Sequence, residues 1–481
     1  MDQADFLKRA GAILGPGGLV TDQDIIAPWL TDWRGRFTGR TLAMAAPRSA
    51  EDLSALVRLC AEHAVAIVPQ GGNSGMCGGA TPDATGNQLL LSLRRMARVR
   101  AFDPAEMRIT CEAGLVLENL HAIAAEAGLR FPLTLGGKGS ATVGGLISTN
   151  AGGTQVLRHG TMRGLVLGLE AVLADGSLYS ALTPLKKDNR GFDLKQILIG
   201  SEGTMGIVTA ATLKLAPAIV ERIAIWAGVP SLQVARRLLL HCERSMGNAV
   251  EGFEVIPASS LAAVLAYLPG ARAPLGGDHA WHVLIEVVAE SAGAGDLRPA
   301  AETMMVSAAE AELADDAVFS ASEAQAEAFW ALRDSVAPAE RAKGPALQHD
   351  ISVPVERMPD FVDAAIAAIE GAHPGVSAIA FGHLGDGNVH FHVIAPPGVQ
   401  PVAWEIGPGK AISRQVYDMV TEWGGSISAE HGIGQVKREE FERLGDPVQL
   451  ALLRALKRAV DPGNLLNPGK LVTLAPEPGS P

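Results

Sequence analysis

The chain has 481 residues, more than a single hydrophobic core organises, so two to four domains are expected. With 40 Lys and Arg against 52 Asp and Glu its formal charge is −12, which argues against a nucleic acid or an anionic membrane surface as the main partner. A hydrophobic content of 48% with 19% charged residues excludes a disordered chain. Cys60, Cys77, Cys111 and Cys242 form no Cys-x-x-Cys pair, which speaks against a disulfide framework or a zinc knuckle and for a reducing compartment. The opening MDQADFLKRAGAILG carries Asp2, Asp5, Lys8 and Arg9 and lacks the apolar core of a signal peptide. Nowhere do ~18 apolar residues run together. No membrane span and a cytoplasmic address are therefore expected.

Residues 49–215 alternate strand and helix signals. Ser49 with Asp52 reads as a helix cap, and Leu53, Leu56, Val57 and Cys60 repeat at i, i+3, i+4 and i+7 as one buried helix face. A short apolar strand over 65–68 runs into the glycine-rich PQGGNSGMCGG, residues 69–79. Residues 89–93 and 109–112 read as further strands, and Leu117, Leu120 and Ala124 mark a helix. A second glycine-rich segment, 136–153, has many small residues and little periodicity. Residues 169–173 and 178–182 flank Asp175-Gly176 as a hairpin. Ile207, Thr209, Ala211, Leu213 and Leu215 alternate as a strand, and Pro217 marks a domain boundary.

Beyond Pro217, strands over 223–229, 250–256 and 281–288 are separated by helices over 233–242, 261–268 and 299–313. That pattern predicts an antiparallel sheet with helices on one side, an α+β domain. No internal repeat is visible, and only the tail APEPGSP is low in complexity.

A strand ending in a glycine-rich turn exposes consecutive backbone N–H groups and admits a pyrophosphate without Cβ clashes. One such loop is equally an ordinary tight turn. Here there are three: PQGGNSGMCGG, then GSATVGG leading into STNAGG, then GSEGTMG before a strand. Three such segments suit a long dinucleotide laid across one domain. Gly-x-Gly-x-x-Gly after an early strand and a Gly-Lys-Ser/Thr ending are both absent, which disfavours a Rossmann NAD site and a P-loop.

The segment AFGHLGDGNVHFH, residues 380–392, predicts two short strands about a turn centred on Asp386-Gly387. In that register His383 lies directly opposite His390, Cβ atoms roughly 5 Å apart, with Asn388 on the same face. Two imidazoles this close suit a divalent metal, or simply a hydrogen-bonded pair. Glu430-His431, in SISAEHGIG, offers a carboxylate and a third imidazole. Such donors fit Zn²⁺, Mn²⁺ or Fe²⁺ better than Mg²⁺.

PQGGNSGMCGG, KGSATVGGLISTNAGGTQVLRHG, GLVLGLEAVLADG and KDNRGFDLKQILIGSEGTMGIVT together closely resemble the flavin domain of the vanillyl-alcohol-oxidase/p-cresol-methylhydroxylase superfamily. Within it the likeness is to the D-2-hydroxyglutarate and D-lactate dehydrogenase branch, and it runs from about Trp33 to Lys470. The resemblance implies an α+β fold: an N-terminal arm (1–38), a two-subdomain FAD-binding domain (39–218), an antiparallel-sheet substrate or cap domain (219–425) and a C-terminal segment (426–481) closing over the flavin.

It also implies noncovalent FAD. Pro69, Gly71, Gly72, Asn73, Ser74 and Gly75 would lie on the pyrophosphate side. Gly139, Ser140, Thr142, Gly145, Thr149, Asn150, Gly152 and Gly153 would follow the adenosine diphosphate. Glu202 and Gly206 would also bind the cofactor, the strand opening at Ile207 would run close to the isoalloxazine, and Asn467, in DPGNLLNPGK, would contact the cofactor or cap a turn.

His383, His390 and Glu430 match the family's metal-ligand positions, with zinc first and manganese or iron next. His431 matches its catalytic base, and Arg333, in EAFWALRDS, its substrate arginine. A lone helix arginine is otherwise a surface ion pair, so Arg333 rests on the resemblance. Asn388, Gln348 and His431 complete the implied substrate contacts. Gln348 stands where the branch commonly carries a lysine, and Ala337 where hydroxyglutarate dehydrogenases carry a threonine.

The implied reaction is FAD- and metal-dependent oxidation of a D-2-hydroxy acid to the 2-oxo acid. D-2-hydroxyglutarate, D-lactate, D-malate and bulkier acids stay open as substrates, and an electron-transfer flavoprotein or a quinone as electron acceptor. An oxidase is a close variant, and a homodimer is consistent with the resemblance. Two alternatives stand beside this reading: a flavin-carrying electron-transfer subunit of a hydroxyacid oxidase complex, and a metallohydrolase built on His383, His390 and Glu430.

Overall fold

The computed structural model describes residues 2–291 and 296–474, so the APEPGSP tail lies outside the described residues. The chain divides into two compact units: Met1–Gly153, His159–Pro217 and Glu430–Pro481 form the first, and Thr154–Arg158 with Ala218–Ala429 the second. Among the described residues no helix is long and apolar enough to cross a membrane.

The first unit holds two larger sheets. In one, the strands Leu19–Val20, Met44–Ala45, Leu89–Ser92 and Ile67–Gln70 are neighbours in that order. Met44–Ala45 and Ile67–Gln70 both run parallel to Leu89–Ser92. These two flanking strands therefore run the same way on either side of Leu89–Ser92, and the helix Ala50–His63 makes the crossover between them. Ser49 caps that helix by accepting the Asp52 N–H at 3.1 Å, and Leu53, Leu56, Val57 and Cys60 are buried as their spacing predicts. Ala64, at φ 52°, ends it in the left-handed conformation.

The other sheet is antiparallel, in the order Val99–Asp103, Arg108–Glu112, Ile207–Lys214, Val166–Val172, Leu178–Ala181. The expected hairpin forms, with Val172 opposite Leu178 and Gly176 at φ 77°. The second glycine-rich segment contains a helix, Val143–Thr149, which its sequence pattern does not show. Its small residues reflect close packing: a Cβ on Gly144 would stand 2.7 Å from the Ala113 Cβ.

The second unit is built on a seven-stranded sheet in the order Asp316–Phe319, Glu221–Val229, Trp281–Ala289, Val250–Pro257, Ser377–His383, Asn388–Ile394, Ala346–Ser352. Every neighbouring pair is antiparallel. Helices cover both faces rather than the one expected. On one face Trp226, Ile256, Leu284 and Phe381 pack with Leu261, Phe329 and Val336, from the helices Ala258–Tyr267, Glu323–Asp334 and Val336–Ala342. Ile225, Val255 and Val283 point the other way and are equally buried. There the helices Leu232–Met246, Leu297–Glu310 and Met358–Ala372 close over the sheet. Strands apolar on both faces need cover on both.

Candidate functional site

In the first unit the glycine-rich loop leaves the strand Ile67–Gln70 and meets the second glycine-rich segment backbone to backbone. A Cβ on Gly72 would fall 1.7 Å from the Ser140 carbonyl oxygen, and one on Gly71 2.3 Å from Thr142 Oγ1. Only glycine allows that approach. Gly75 instead faces open space, with nothing within 4 Å of an added Cβ. Among the described residues the backbone N–H groups of Gly72, Asn73, Ser74 and Gly75 donate to no protein acceptor. Beside Gly72 and Asn73 lies a cavity lined by Pro28, Trp29, Thr31, Asp32 and Trp33. A run of unspent donors with no side chain in the way is what a pyrophosphate requires, so these residues fit FAD.

Several polar side chains of the cradle serve the loops themselves. Asn73, at φ 53°, donates Nδ2 to the Thr31 carbonyl at 2.9 Å. Thr142 caps the helix Val143–Thr149 by accepting from Gly145 N–H, and Thr149 donates back to the Gly145 carbonyl at 3.1 Å. Asn150, at φ 51°, accepts from Thr161 Oγ1 and Arg163 N–H. A Cβ on Gly153 would meet the Thr134 oxygen at 2.3 Å, and one on Gly206 the Leu198 side chain at 2.8 Å. Gly139 and Ser140 lie at the exposed end of the second segment, Pro69 is half-buried, and Gly152 and Ile207 are buried.

Glu202 sits at φ 52° and is buried. Its two carboxylate oxygens accept the N–H groups of Ile433 at 2.7 Å and Gly434 at 2.8 Å. Burial raises its pKa, against the pull of those two N–H groups and of Lys437 and Lys470. Its side chain is thus an anchor for the segment that carries Glu430 and His431. The same segment is tied to the first glycine-rich loop, where the Cys77 carbonyl accepts Gln435 N–H at 2.8 Å and Cys77 Sγ donates to the Gly432 carbonyl. Asn467, at φ 45°, does turn the chain, donating Nδ2 to the carbonyls of Gly79 and Glu202 at 2.9 and 2.7 Å. Its Oδ1 is buried without a partner among the described residues, an acceptor that suits a bound ligand.

The histidine hairpin of the second unit differs in register from the expectation. Its strands, Ser377–His383 and Asn388–Ile394, pair His383 with Asn388 and Phe381 with His390. The connection is therefore the four residues 384–387, not a two-residue turn. Asp386 Oδ1 accepts the Asn388 N–H at 3.0 Å, Gly387 takes φ 78°, and Leu384 N–H bonds the Phe253 carbonyl of the neighbouring strand. These bonds, one of them to a third strand, outcompete the tight turn. A slip of two residues preserves the face, so His383 and His390 become diagonal neighbours, ring centroids 5.5 Å apart.

Register then assembles one polar cluster from four strands. Glu254 pairs with His383, His383 with Asn388, and His390 with Asp350. Glu254 Oε1 accepts from His383 Nδ1 at 2.5 Å, and Oε2 from Arg333 Nε at 2.8 Å. Arg333 Nη2 lies 3.1 Å from His383 Nε2. A guanidinium only donates, so Nε2 is the acceptor and the ring proton sits on Nδ1. Arg333, in the last turn of the helix Glu323–Asp334, has a side chain 13% exposed and is no surface ion pair.

Asn388 Nδ2 donates to Asp350 Oδ1 and the Ile351 carbonyl, both at 3.0 Å. Gln348 lies on the same sheet face, opposite His392. Ala337 packs against the apolar cluster around Trp226.

Burial works to raise the Glu254 pKa, but Arg333 and His383 overcome it and hold the carboxyl at about 2. Burial pushes the His390 pKa well below its ordinary value, with His383 and Arg333 adding to the shift. A neutral imidazole has a lone pair to offer, so His383 and His390 fit a metal by donor chemistry. Glu430 and His431 belong to the first unit. Glu254 and Asp350 escaped the sequence reading. Their one signal is a carboxylate inside a strand, in VEGFEVIP, which also carries Glu251, and in ALQHDIS, which also carries Gln348, His349 and Ser352.

Residues 41–181 match the model of the FAD binding domain, and residues 221–471 that of the FAD linked oxidases, C-terminal domain. A D-2-hydroxyglutarate dehydrogenase of Xanthomonas citri pv. viticola is 36% identical over 441 residues, covering 92% of this chain and 91% of the relative. The mitochondrial D-2-hydroxyglutarate dehydrogenase of Bos taurus is 35% identical over 459 residues, covering 95% and 81%. Among solved structures, p-cresol methylhydroxylase with substrate bound superimposes with a TM-score of 0.73 at 16% identity, covering 98% of this chain and 97% of that one. At that identity the likeness shows the fold alone.

Proposed function

Because the chain belongs to the FAD-linked oxidase family, alongside the D-2-hydroxyglutarate dehydrogenases, we propose that this FAD-dependent oxidoreductase converts a D-2-hydroxy acid to the 2-oxo acid. The observation that carries the reading is the gathering of a guanidinium, two imidazoles and an amide on one sheet face, Arg333, His383, His390 and Asn388. A planar cation is the group that holds a substrate carboxylate in two hydrogen bonds. In this reading Arg333 takes the carboxylate, with Asn388 and Gln348 beside it, and His431 takes the hydroxyl proton as general base. Bound FAD supplies the acceptor for the Cα hydride. A divalent ion on His383, His390 and Glu430, zinc first and manganese or iron next, would supply the Lewis acidity that lowers the hydroxyl pKa.

The relatives' names put D-2-hydroxyglutarate first among substrates. Gln348 and Ala337 supply neither the cation nor the hydroxyl that a second carboxylate would use, so D-lactate and D-malate belong in the same trial. An electron-transfer flavoprotein or a quinone would reoxidise the flavin. A metallohydrolase would leave the FAD-binding region unused and is set aside.

The test is an anaerobic titration of the flavin-loaded protein with D- and L-2-hydroxy acids, before and after chelation, following flavin absorbance. The expected result is bleaching by a D-acid, lost on chelation and restored by Zn²⁺ or Mn²⁺. Bleaching that ignores the chelator would overturn the metal but keep the reaction. No bleaching by any acid would overturn the dehydrogenase reading in favour of an electron-carrying subunit.

A further inference from the structure

Arg333 and His383 come from a helix and a strand distant in sequence, yet both are held by one side chain. Glu254 is 1% exposed on the strand Val250–Pro257, in register with His383 across the sheet. One oxygen takes the imidazole Nδ1–H at 2.5 Å and the other the guanidinium Nε–H at 2.8 Å. A free histidine divides its proton between the two ring nitrogens, and a carboxylate on Nδ1 removes that freedom. The Nε2 lone pair, which here accepts from Arg333 Nη2 at 3.1 Å, is thereby fixed on the face that also carries His390, where a metal ion would take it in place of the guanidinium. The guanidinium, held through Nε, is restricted in rotation about the same point.

We propose that Glu254 is a positioning residue that fixes His383 as an Nε2 metal ligand and aligns Arg333 for the substrate carboxylate, so that one buried carboxylate sets both halves of the substrate site. The inference rests on the metal and arginine roles given above. A neutral amide at this position would still accept from Nδ1–H, but its NH₂ group would confront the guanidinium. An aspartate keeps the charge and, one methylene shorter, does not span both partners.

The experiment compares wild type, Glu254→Gln and Glu254→Asp as flavin-loaded full-length protein. Three quantities are read: affinity for Zn²⁺ or Co²⁺ by competition with a chelator, the separate kcat and KM for the acid that bleaches the flavin, and the ring-nitrogen NMR shifts of His383. Flavin content and melting temperature report whether each variant has folded. Glu254→Gln is expected to bind metal about 10- to 100-fold more weakly, with a raised KM and unchanged flavin content, and Glu254→Asp to recover part of the metal affinity. Wild-type metal affinity and KM in both variants, with the His383 proton still on Nδ1, would overturn the proposal. A wild-type protein that takes up neither ion sinks the metal role itself. The NMR measurement then decides alone: a His383 proton that leaves Nδ1 in a variant supports Glu254 as the group that orients the ring, and one that stays put counts against it.

Discussion

Glu202 in the first unit and Glu254 in the second are both buried glutamates at candidate sites, and their surroundings push them in opposite directions. Glu202 faces two backbone N–H groups, and burial leaves its pKa above the ordinary 4.5. Glu254 faces a guanidinium and an imidazole and is held at about 2. Backbone dipoles offer partial charge and leave much of the cost of desolvation standing, while a full cation at 2.8 Å removes it. The contrast extends to the two regions. The candidate flavin cradle is made of backbone, with side chains such as Asn73, Asn150 and Glu202 spent on shaping loops, whereas the histidine cluster is made of side chains standing on strands and, for Arg333, on a helix.

If the cradle is backbone chemistry, its most sensitive positions are glycines. Gly72→Ala should cost 3 kcal/mol or more, roughly the scale of a forced core clash, and should yield protein without flavin. Gly75→Ala should lose flavin yet melt like wild type, because its Cβ meets no protein atom. Urea unfolding and flavin absorbance after gel filtration read both, and retention of flavin by Gly72→Ala would break the distinction.

On the side-chain half, Glu254→Ala strands a buried guanidinium and should cost about 3–5 kcal/mol. The folded pKa of Glu254 lies below 4.5, so its contribution is complete above that value and fades as pH falls through about 2. Urea melts from pH 6 down to pH 3 should therefore show the wild type converging on the variant. Parallel curves would count against the pairing.

Glu286 sharpens the same rule from the other side. It is buried, receives the Trp330 indole N–H at 2.7 Å and lies 3.4 Å from Arg222. Burial pushes it up to about 7 against those partners. Its folded pKa lies above the unfolded one, so its stabilising effect is present below pH 4.5 and is lost as pH rises through about 7. Glu286→Gln should thus gain up to ~3 kcal/mol over wild type at pH 8 and nothing at pH 4. An equal gain at both pH values would refute it. The smallest effect is local: Ser49→Ala should cost about 1 kcal/mol through the lost helix cap, measurable by the same melts.

The elements legible in the sequence are those whose signal is local. The Ser49 cap with its four apolar positions and the hairpin at Asp175-Gly176 formed where their residues indicated, while the strand expected over 65–68 runs Ile67–Gln70, two residues further into the glycine-rich segment. The helix Val143–Thr149 was hidden because its small residues answer to the packing of Gly144 on Ala113, which is no helical signal. The His383–His390 register was misread because an Asp-Gly pair fits a two-residue turn and a four-residue connection alike. The bond from Leu384 to a third strand decides between them. Glu254 and Asp350 were missed for a related reason: a carboxylate in a buried strand needs something to compensate it, and the sequence does not show what.

What is written locally in this chain is where the glycines cluster and which short segments are helix or strand. Glycine spacing, caps and periodicity act within a few residues of where they are written. Which carboxylate holds which cation, which residues stand opposite the histidines and what the side chains of the candidate cradle are for follow from the tertiary fold alone. Those depend on register between strands whose paired residues stand as far as 129 apart, and register is settled by the packing of the whole sheet.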